Sequence, residues 1–314
     1  MRTRATVVMT AVVAGLPALS LPAAAYVRTT TEAGAATAWK TPCVTMEFSL
    51  GAPPPEMDAA GYLSAAQAAG EAWSRASLDG VDRCTNVIFT VEQVEDVAGP
   101  VGMDYHNRLI FRQNGWCRDP LPKDGSCYDS SALAITSVFQ LKNSGEILDA
   151  DLEVNATDFT WGDYASHPEQ FGYNTNDFLG AVTHEFGHVI GLDHTCFSPG
   201  KTFVDGTLVP RPVDNSGNPV PDCSAPNLPA IITDATMYVS VATPRAEVEL
   251  RSLSPDDVQA ACDIYPFTTN FVCQPPSTPA TGGGGCSYAV QRGGGAIACA
   301  LALLTMAMVG RRRR

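Results

Sequence analysis

Apolar residues recur on a helical period in MDAAGYLSAAQAAGEAWSRAS, where Tyr62, Ala66, Ala69 and Trp73 fall on one stripe. An amphipathic helix is therefore predicted there, with that stripe turned to a core. Elsewhere the pattern alternates or runs apolar over short stretches. The segment after Cys43, then NVIFTVEQV, RLIFRQ, SALAITSVFQL and EILDADLEVN, are read as strands on that ground, and KNSG between the last two is a turn. A closing helix is predicted in SLSPDDVQAACDIYP, which opens with a capping box: Ser254 at the N-cap, Pro255 at the first helical position and Asp257 reaching back. The stretch from Cys196 to Ala235 is rich in Pro, Gly, Asp and Asn and is expected to be a long irregular loop beside any cleft, setting specificity.

One polar pattern changes the picture. In HEFGHVIGLDH, His184 and His188 stand four residues apart, so on a helix both can point a ring nitrogen at one metal ion. Glu185 projects beside them, placed to take a proton from water as it attacks a carbonyl. The chain must then turn sharply, and Gly191 supplies the residue that tolerates positive φ. His194 returns as a third ligand, which leaves one tetrahedral position open for water and substrate, the mark of a catalytic rather than a closed structural zinc site. Five such positions coincide by chance on the order of once in a hundred thousand chains of this length. An accidental helix pattern is set aside accordingly, whereas His106 and His167 have no partner at helical spacing and are read as surface or structural.

HEFGHVIGLDH resembles the metzincin signature HExxHxxGxxH, and among metzincins it looks closest to the matrixins. The resemblance implies an α+β fold: a twisted, mostly parallel sheet with an antiparallel edge strand, a zinc-binding active-site helix and a methionine turn. Met237 in ITDATMYVS fits that turn, with Tyr238 following. The segment around Tyr62 is similar to the family's first helix, and SLSPDDVQAACDIYP to its last. The resemblance also implies that the strand from Ile147 to Asn155 is the edge over the cleft, where an extended peptide could add as a further strand. Ile147, Leu148, Asp149, Ala150 and Tyr238 are the substrate-binding residues expected on this basis. Thr195 follows the third histidine where matrixins usually carry Ser, and no inhibitory cysteine motif precedes the domain.

The ends read as addresses. Arg2 and Arg4, an apolar middle and small residues through Ala25 predict a secretory leader over 1–25, cut before Tyr26. A short segment 26–40 leads into a catalytic domain over 41–273. A Pro/Gly spacer follows over 274–285, then a tail over 286–314 with an apolar stretch and a basic stop in Arg311 to Arg314, a single membrane span at the short limit of length. That tail resembles the sorting signal MYXO-CTERM, which implies processing near Cys286 and display on the cell surface or release.

Export accounts for the cysteines. Setting aside Cys286 and Cys299 leaves an even number in the body, hence four disulfides in an oxidising compartment. Pairing of neighbours is expected: Cys43 with Cys84, Cys117 with Cys127, Cys196 with Cys223, Cys262 with Cys273. The formal net charge of −13 grows more negative once the leader and tail arginines are lost, which excludes a nucleic-acid partner. Calcium is weighed for the run LDADLE, which reads as easily as an exposed strand face. The expected protein is a monomeric zinc endopeptidase acting on protein or peptide. Its rivals are a surface adhesion protein on an inactive scaffold and a zinc amidase acting on cell-wall amides.

Overall fold

The computed structural model describes residues 26–50, 53–95, 101–118, 127–164, 175–199, 208–241, 248–273 and 302–310. Two short strands, β1 (Val27–Arg28) and β2 (Ala38–Trp39), precede β3 (Cys43–Ser49), where the sequence alternation is realised: Val44, Met46 and Phe48 are buried and their neighbours half-buried. Parallel partners flank β3 on both sides, β4 (Ile88–Val94) and β5 (Asn107–Arg112). Beyond β5 lies β7 (Glu146–Asn155), parallel to it, and then β6 (Ala132–Gln140), antiparallel to β7. The path is extended past β6 by β12 (Ala302–Gly310), antiparallel, and β11 (Ser240–Val241). The fold is thus α+β, with a mostly parallel central sheet and few helices.

The first helix, α1 (Ala59–Ser74), begins where the Asp58 side chain accepts from Gly61 N, and Tyr62, Ala66, Ala69 and Trp73 are all fully buried, as their spacing predicts. It packs against α2 (Phe178–Val189), and both lie on one face of the sheet. Trp73 Nε1 donates to Thr183 O across that contact at 2.8 Å, and Phe89 of β4 stacks on Phe186 of α2 with ring centres 4.6 Å apart. Two small sheets flank the core: β8 (Thr160–Gly162) with β9 (Thr175–Asp177), and β1 with β10 (Leu192–Asp193). The lower part is irregular, with α3 (Ala230–Thr233) and α4 (Pro255–Ile264) its helices. Ser254 caps α4 and Asp257 reaches back to it as predicted, its Oδ2 accepting from Ser254 Oγ and also from Thr236 N at 2.7 Å.

Two expectations are corrected, the edge strand and the disulfide pairing. Ile147 to Asn155 is not an edge, because β7 lies between β6 and β5, and β6 in turn pairs with β12 on its other side. Ile147 and Ala150 are buried in the main core, and the backbones of Ile147, Asp149 and Ala150 pair with β6. Two disulfides follow the expected neighbours, Cys117–Cys127 and Cys196–Cys223, but the others join the ends of the domain as Cys43–Cys273 and Cys84–Cys262. The reason is a bridge between Thr85 and Pro266, with Phe267 N donating to Cys84 O at 2.9 Å, which brings the start of β4 onto α4. The tail expected to span a membrane lies largely outside the described residues, and its stretch Ala302–Gly310 is extended against β6. No helix among the described residues is long and apolar enough to cross a membrane.

Candidate metal centre

Helix α2 starts at Asp177, whose side chain accepts from Gly180 N at 2.9 Å. Arg251, from the segment before α4, binds the same carboxylate and also Asp163. This start fixes the rotation of the helix, so that His184 and His188 face the same way one turn on. The helix ends at Ile190, and Gly191 turns the chain at φ +92°. A Cβ at Gly191 would lie 2.5 Å from Thr37 O, so glycine is required for packing as well as for the turn. His194 then comes back to the helix.

The three Nε2 atoms converge: 3.1 Å between His184 and His188, and 3.2 Å from each to His194. All three rings are buried. His184 Nδ1 lies 2.6 Å from Thr236 O and His188 Nδ1 lies 2.8 Å from Leu192 O. A carbonyl accepts only, so both Nδ1 atoms carry the proton, and in a neutral imidazole the Nε2 is then a lone pair. Burial pushes His184 down to about 4, against the opposing pull of the Thr236 carbonyl, so the ring is neutral near pH 7. Lone pairs at 3.1 Å cannot hydrogen-bond to each other. The arrangement is favourable only around a cation, and ligand nitrogens about 2.0–2.1 Å from a tetrahedral zinc stand about 3.3 Å apart. The donor set, three buried imidazoles of which His184 and His188 have their outer nitrogens held by carbonyls, fits such an ion. Among the described residues it is the one group of three or more His, Cys, Asp or Glu whose ligand atoms converge.

Glu185 is fully buried beside the triad. Its Oε2 accepts from Thr136 Oγ1 of β6 at 2.6 Å, and its Oε1 is buried with no partner among the described residues. Burial pushes this carboxyl up to about 8, and the Thr136 hydrogen bond pulls the other way. Met237 lies under the helix: a Cβ on Gly187 would come within 2.1 Å of its sulfur, so the helix is glycine where the methionine touches it. The same turn supplies Thr236 O to His184, and its Thr236 N is held by Asp257. The start of α4 is thereby coupled to a ligand ring through one residue.

His184, Glu185, His188, His194 and Met237 are thus brought together. Tyr238 sits next to them, partly buried against Cys196, Ile232 and Val239. Ile147, Leu148, Asp149 and Ala150 belong to the sheet interior, with three strands on either side of theirs in the sheet path, and Ala25, Cys286 and His167 lie outside the described residues. His106 is exposed and paired with Glu47 at 2.7 Å, a surface role as read. Sequence reasoning missed Thr136, Asp257, Arg251, Trp39 and Tyr265. Thr136 left a trace: it is a hydroxyl at a core-facing position of β6, between Ala134 and Val138 on the same face. Asp149, Asp151 and Glu153, in the run weighed for calcium, accept hydrogen bonds from protein donors. No protein-family model matches the chain, and no curated protein does.

Proposed function

We propose that this protein is a zinc-dependent endopeptidase of metzincin type. The observation that carries the reading is the convergence of three imidazole nitrogens beside a buried carboxyl group with one oxygen that has no partner among the described residues. Zinc held there supplies Lewis acidity, polarising a carbonyl and bringing the pKa of water to about 7. Glu185 Oε1 takes the proton from the attacking water as the new C–O bond forms, and returns it to the amine nitrogen as the C–N bond breaks. Thr136 holds the other oxygen, so Oε1 is the one presented.

The sheet path supports the same reading, with parallel strands followed by an antiparallel one, β6, whose Thr136 touches Glu185. The outer side of β6 accepts a further antiparallel strand, a place taken by Ala302–Gly310. An extended peptide aligned there would run past Glu185, with backbone pairing giving affinity that depends little on its sequence. The stretch stapled by Cys196–Cys223 borders the third ligand and is assigned to side-chain selection. Four disulfides are compatible with an exported protein.

The test is metal analysis and cleavage of a peptide library by the purified protein, with products identified by mass spectrometry. One zinc per chain and internal peptide-bond cleavage are expected, with turnover falling about 10²–10⁴-fold in Glu185→Ala while zinc stays bound. Zinc without any cleavage would point to a binding protein instead, and cleavage confined to non-peptide amides to an amidase.

A further inference from the structure

Four successive carbonyls at the end of the metal helix and in the turn after it are each held from outside the helix. Val189 O accepts from Trp39 Nε1 at 2.8 Å and Ile190 O from Tyr265 OH at 2.8 Å. Gly191 O accepts from Thr29 N at 3.0 Å, and Leu192 O from Thr29 Oγ1 at 3.1 Å. Three of these donors come from Tyr26–Trp39. One arm of that segment pairs with the ligand turn, Val27 opposite Asp193 and Arg28 opposite Leu192, and the other arm pairs with β7 through Ala38 and Trp39. The arms are joined to each other by Thr37 N and Thr37 Oγ1, both donating to Thr29 O. Tyr265 is drawn into the same set, since its hydroxyl also accepts from Trp39 N at 3.0 Å.

The last of these carbonyls matters most. Leu192 O is also the acceptor that orients the His188 ring, so a buried hydroxyl on the strap and a metal ligand meet on one oxygen. Ordinarily the carbonyls at a helix end and in the turn just after it are left to water or to a cap. Here they are tied to the central sheet through β2, in the stretch that must keep His194 within reach of His184 and His188.

We propose that Tyr26–Trp39 is a retaining strap of the metal centre, with Thr29 and Trp39 as positioning residues that set how tightly the ion is held. Contacts one step beyond the ligands tune metal affinity by about 10–100-fold, because they fix ring orientation before the ion arrives. The strap adds a further step: it fixes the carbonyl that fixes the ring. Its role rests on the triad holding a metal and is independent of whether that metal hydrolyses anything.

The experiment uses the full chain, loaded with zinc and titrated against a chromogenic chelator, in wild type, Thr29→Val, Thr29→Ser and Trp39→Phe. Thr29→Val keeps the side-chain volume and removes the donor, and Trp39→Phe removes the Nε1 donor from outside the ligand turn. Both are expected to raise the zinc dissociation constant, about 10-fold or more for Thr29→Val, while Thr29→Ser stays close to wild type. Melting of the metal-free proteins separates positioning from plain stability: Thr29→Val should melt with Thr29→Ser. Wild-type zinc affinity in both Thr29→Val and Trp39→Phe would overturn the strap, and so would weakening in Thr29→Ser equal to that in Thr29→Val. A wild-type protein that binds zinc tightly yet cleaves no peptide would count against the endopeptidase alone. One that binds no zinc would remove both.

Discussion

Two clusters of buried ionisable groups lie on opposite faces of the same sheet, and they satisfy themselves in opposite ways. On the helix face, His184 and His188 turn acceptor toward acceptor, His194 brings a third ring nitrogen to the same point, and Glu185 keeps one oxygen without a partner among the described residues. On the other face, Asp149, Asp151 and Glu153 alternate along β7 with core residues Ala150, Leu152 and Val154. There the donors arrive: Asp149 Oδ2 takes the amides of Asp104 and Tyr105 at 2.7 Å, and Asp151 those of Gly102 and Arg108 at 2.9 Å. Glu153 takes Arg112 Nε and Tyr128 OH, both at 2.7 Å. All seven groups, three rings and four carboxyls, are shielded from solvent. Burial therefore does not mark a site; ligand atoms that converge on one point do, and the acidic strip is a clamp on the loops that cover it.

If that contrast is right, removing one member of each cluster has unlike consequences. His188→Ala should abolish stoichiometric zinc and bring the melting point of the zinc-treated protein down to that of the metal-free one, a loss of about 4 kcal/mol where zinc stands a thousandfold above its dissociation constant. Glu153→Ala should leave zinc content untouched yet destabilise by about 3 kcal/mol, since half-buried Arg112 and the Tyr128 hydroxyl both lose their carboxylate. Metal analysis and urea unfolding on both variants decide it, and zinc loss in Glu153→Ala would erase the distinction. Thr136→Val follows with a smaller effect. It removes one hydrogen bond to a charged oxygen, worth about 1.5–3 kcal/mol, so kcat should drop about 10–100-fold with zinc content and KM near wild type. Unchanged kcat would show that Glu185 is aimed by its packing alone.

The helix-face cluster was legible in the sequence and the sheet-face cluster was not, for physical reasons. Residues four apart on a helix share a face whatever surrounds them, so the places of His184 and His188 follow from spacing, and the turn from Gly191. The stripe from Tyr62 to Trp73 was legible on the same ground. Strand alternation tells which residues share a face but names neither the neighbouring strand nor what covers the face. Asp149, Asp151 and Glu153 therefore read as a solvated face or a calcium run, and β7 as an edge. The disulfides repeat the lesson: Cys117–Cys127 and Cys196–Cys223 close local loops, whereas Cys43–Cys273 and Cys84–Cys262 depend on β4 meeting α4, which no local pattern encodes.

The weak point of the clamp gives the last way to sharpen the comparison. Asp149 Oδ1 is the one carboxylate oxygen of the strip that is buried without a partner. Burial pushes Asp149 up to about 6, against the amides of Asp104 and Tyr105, and pushes Asp151 up to about 7, with the charge of Asp149 adding to the rise. Both folded-state values lie above those of an unfolded chain, so between pH about 4 and about 7 the folded form binds protons that the unfolded form has lost. The contribution of this pair is accordingly greatest on the acid side and is lost as pH rises through 6 and 7, the reverse of an ordinary paired carboxylate. Asp149→Asn keeps an oxygen for the two amides and removes both the titration and the repulsion felt by Asp151. Urea unfolding of the metal-free proteins at pH 5 and pH 8 should show the variant gaining on wild type by on the order of 2 kcal/mol across that span. Taking the difference between the two proteins cancels the imidazole titrations they share. A difference that stays constant with pH would mean that the strip is charged throughout, and that its donors meet its demand in full.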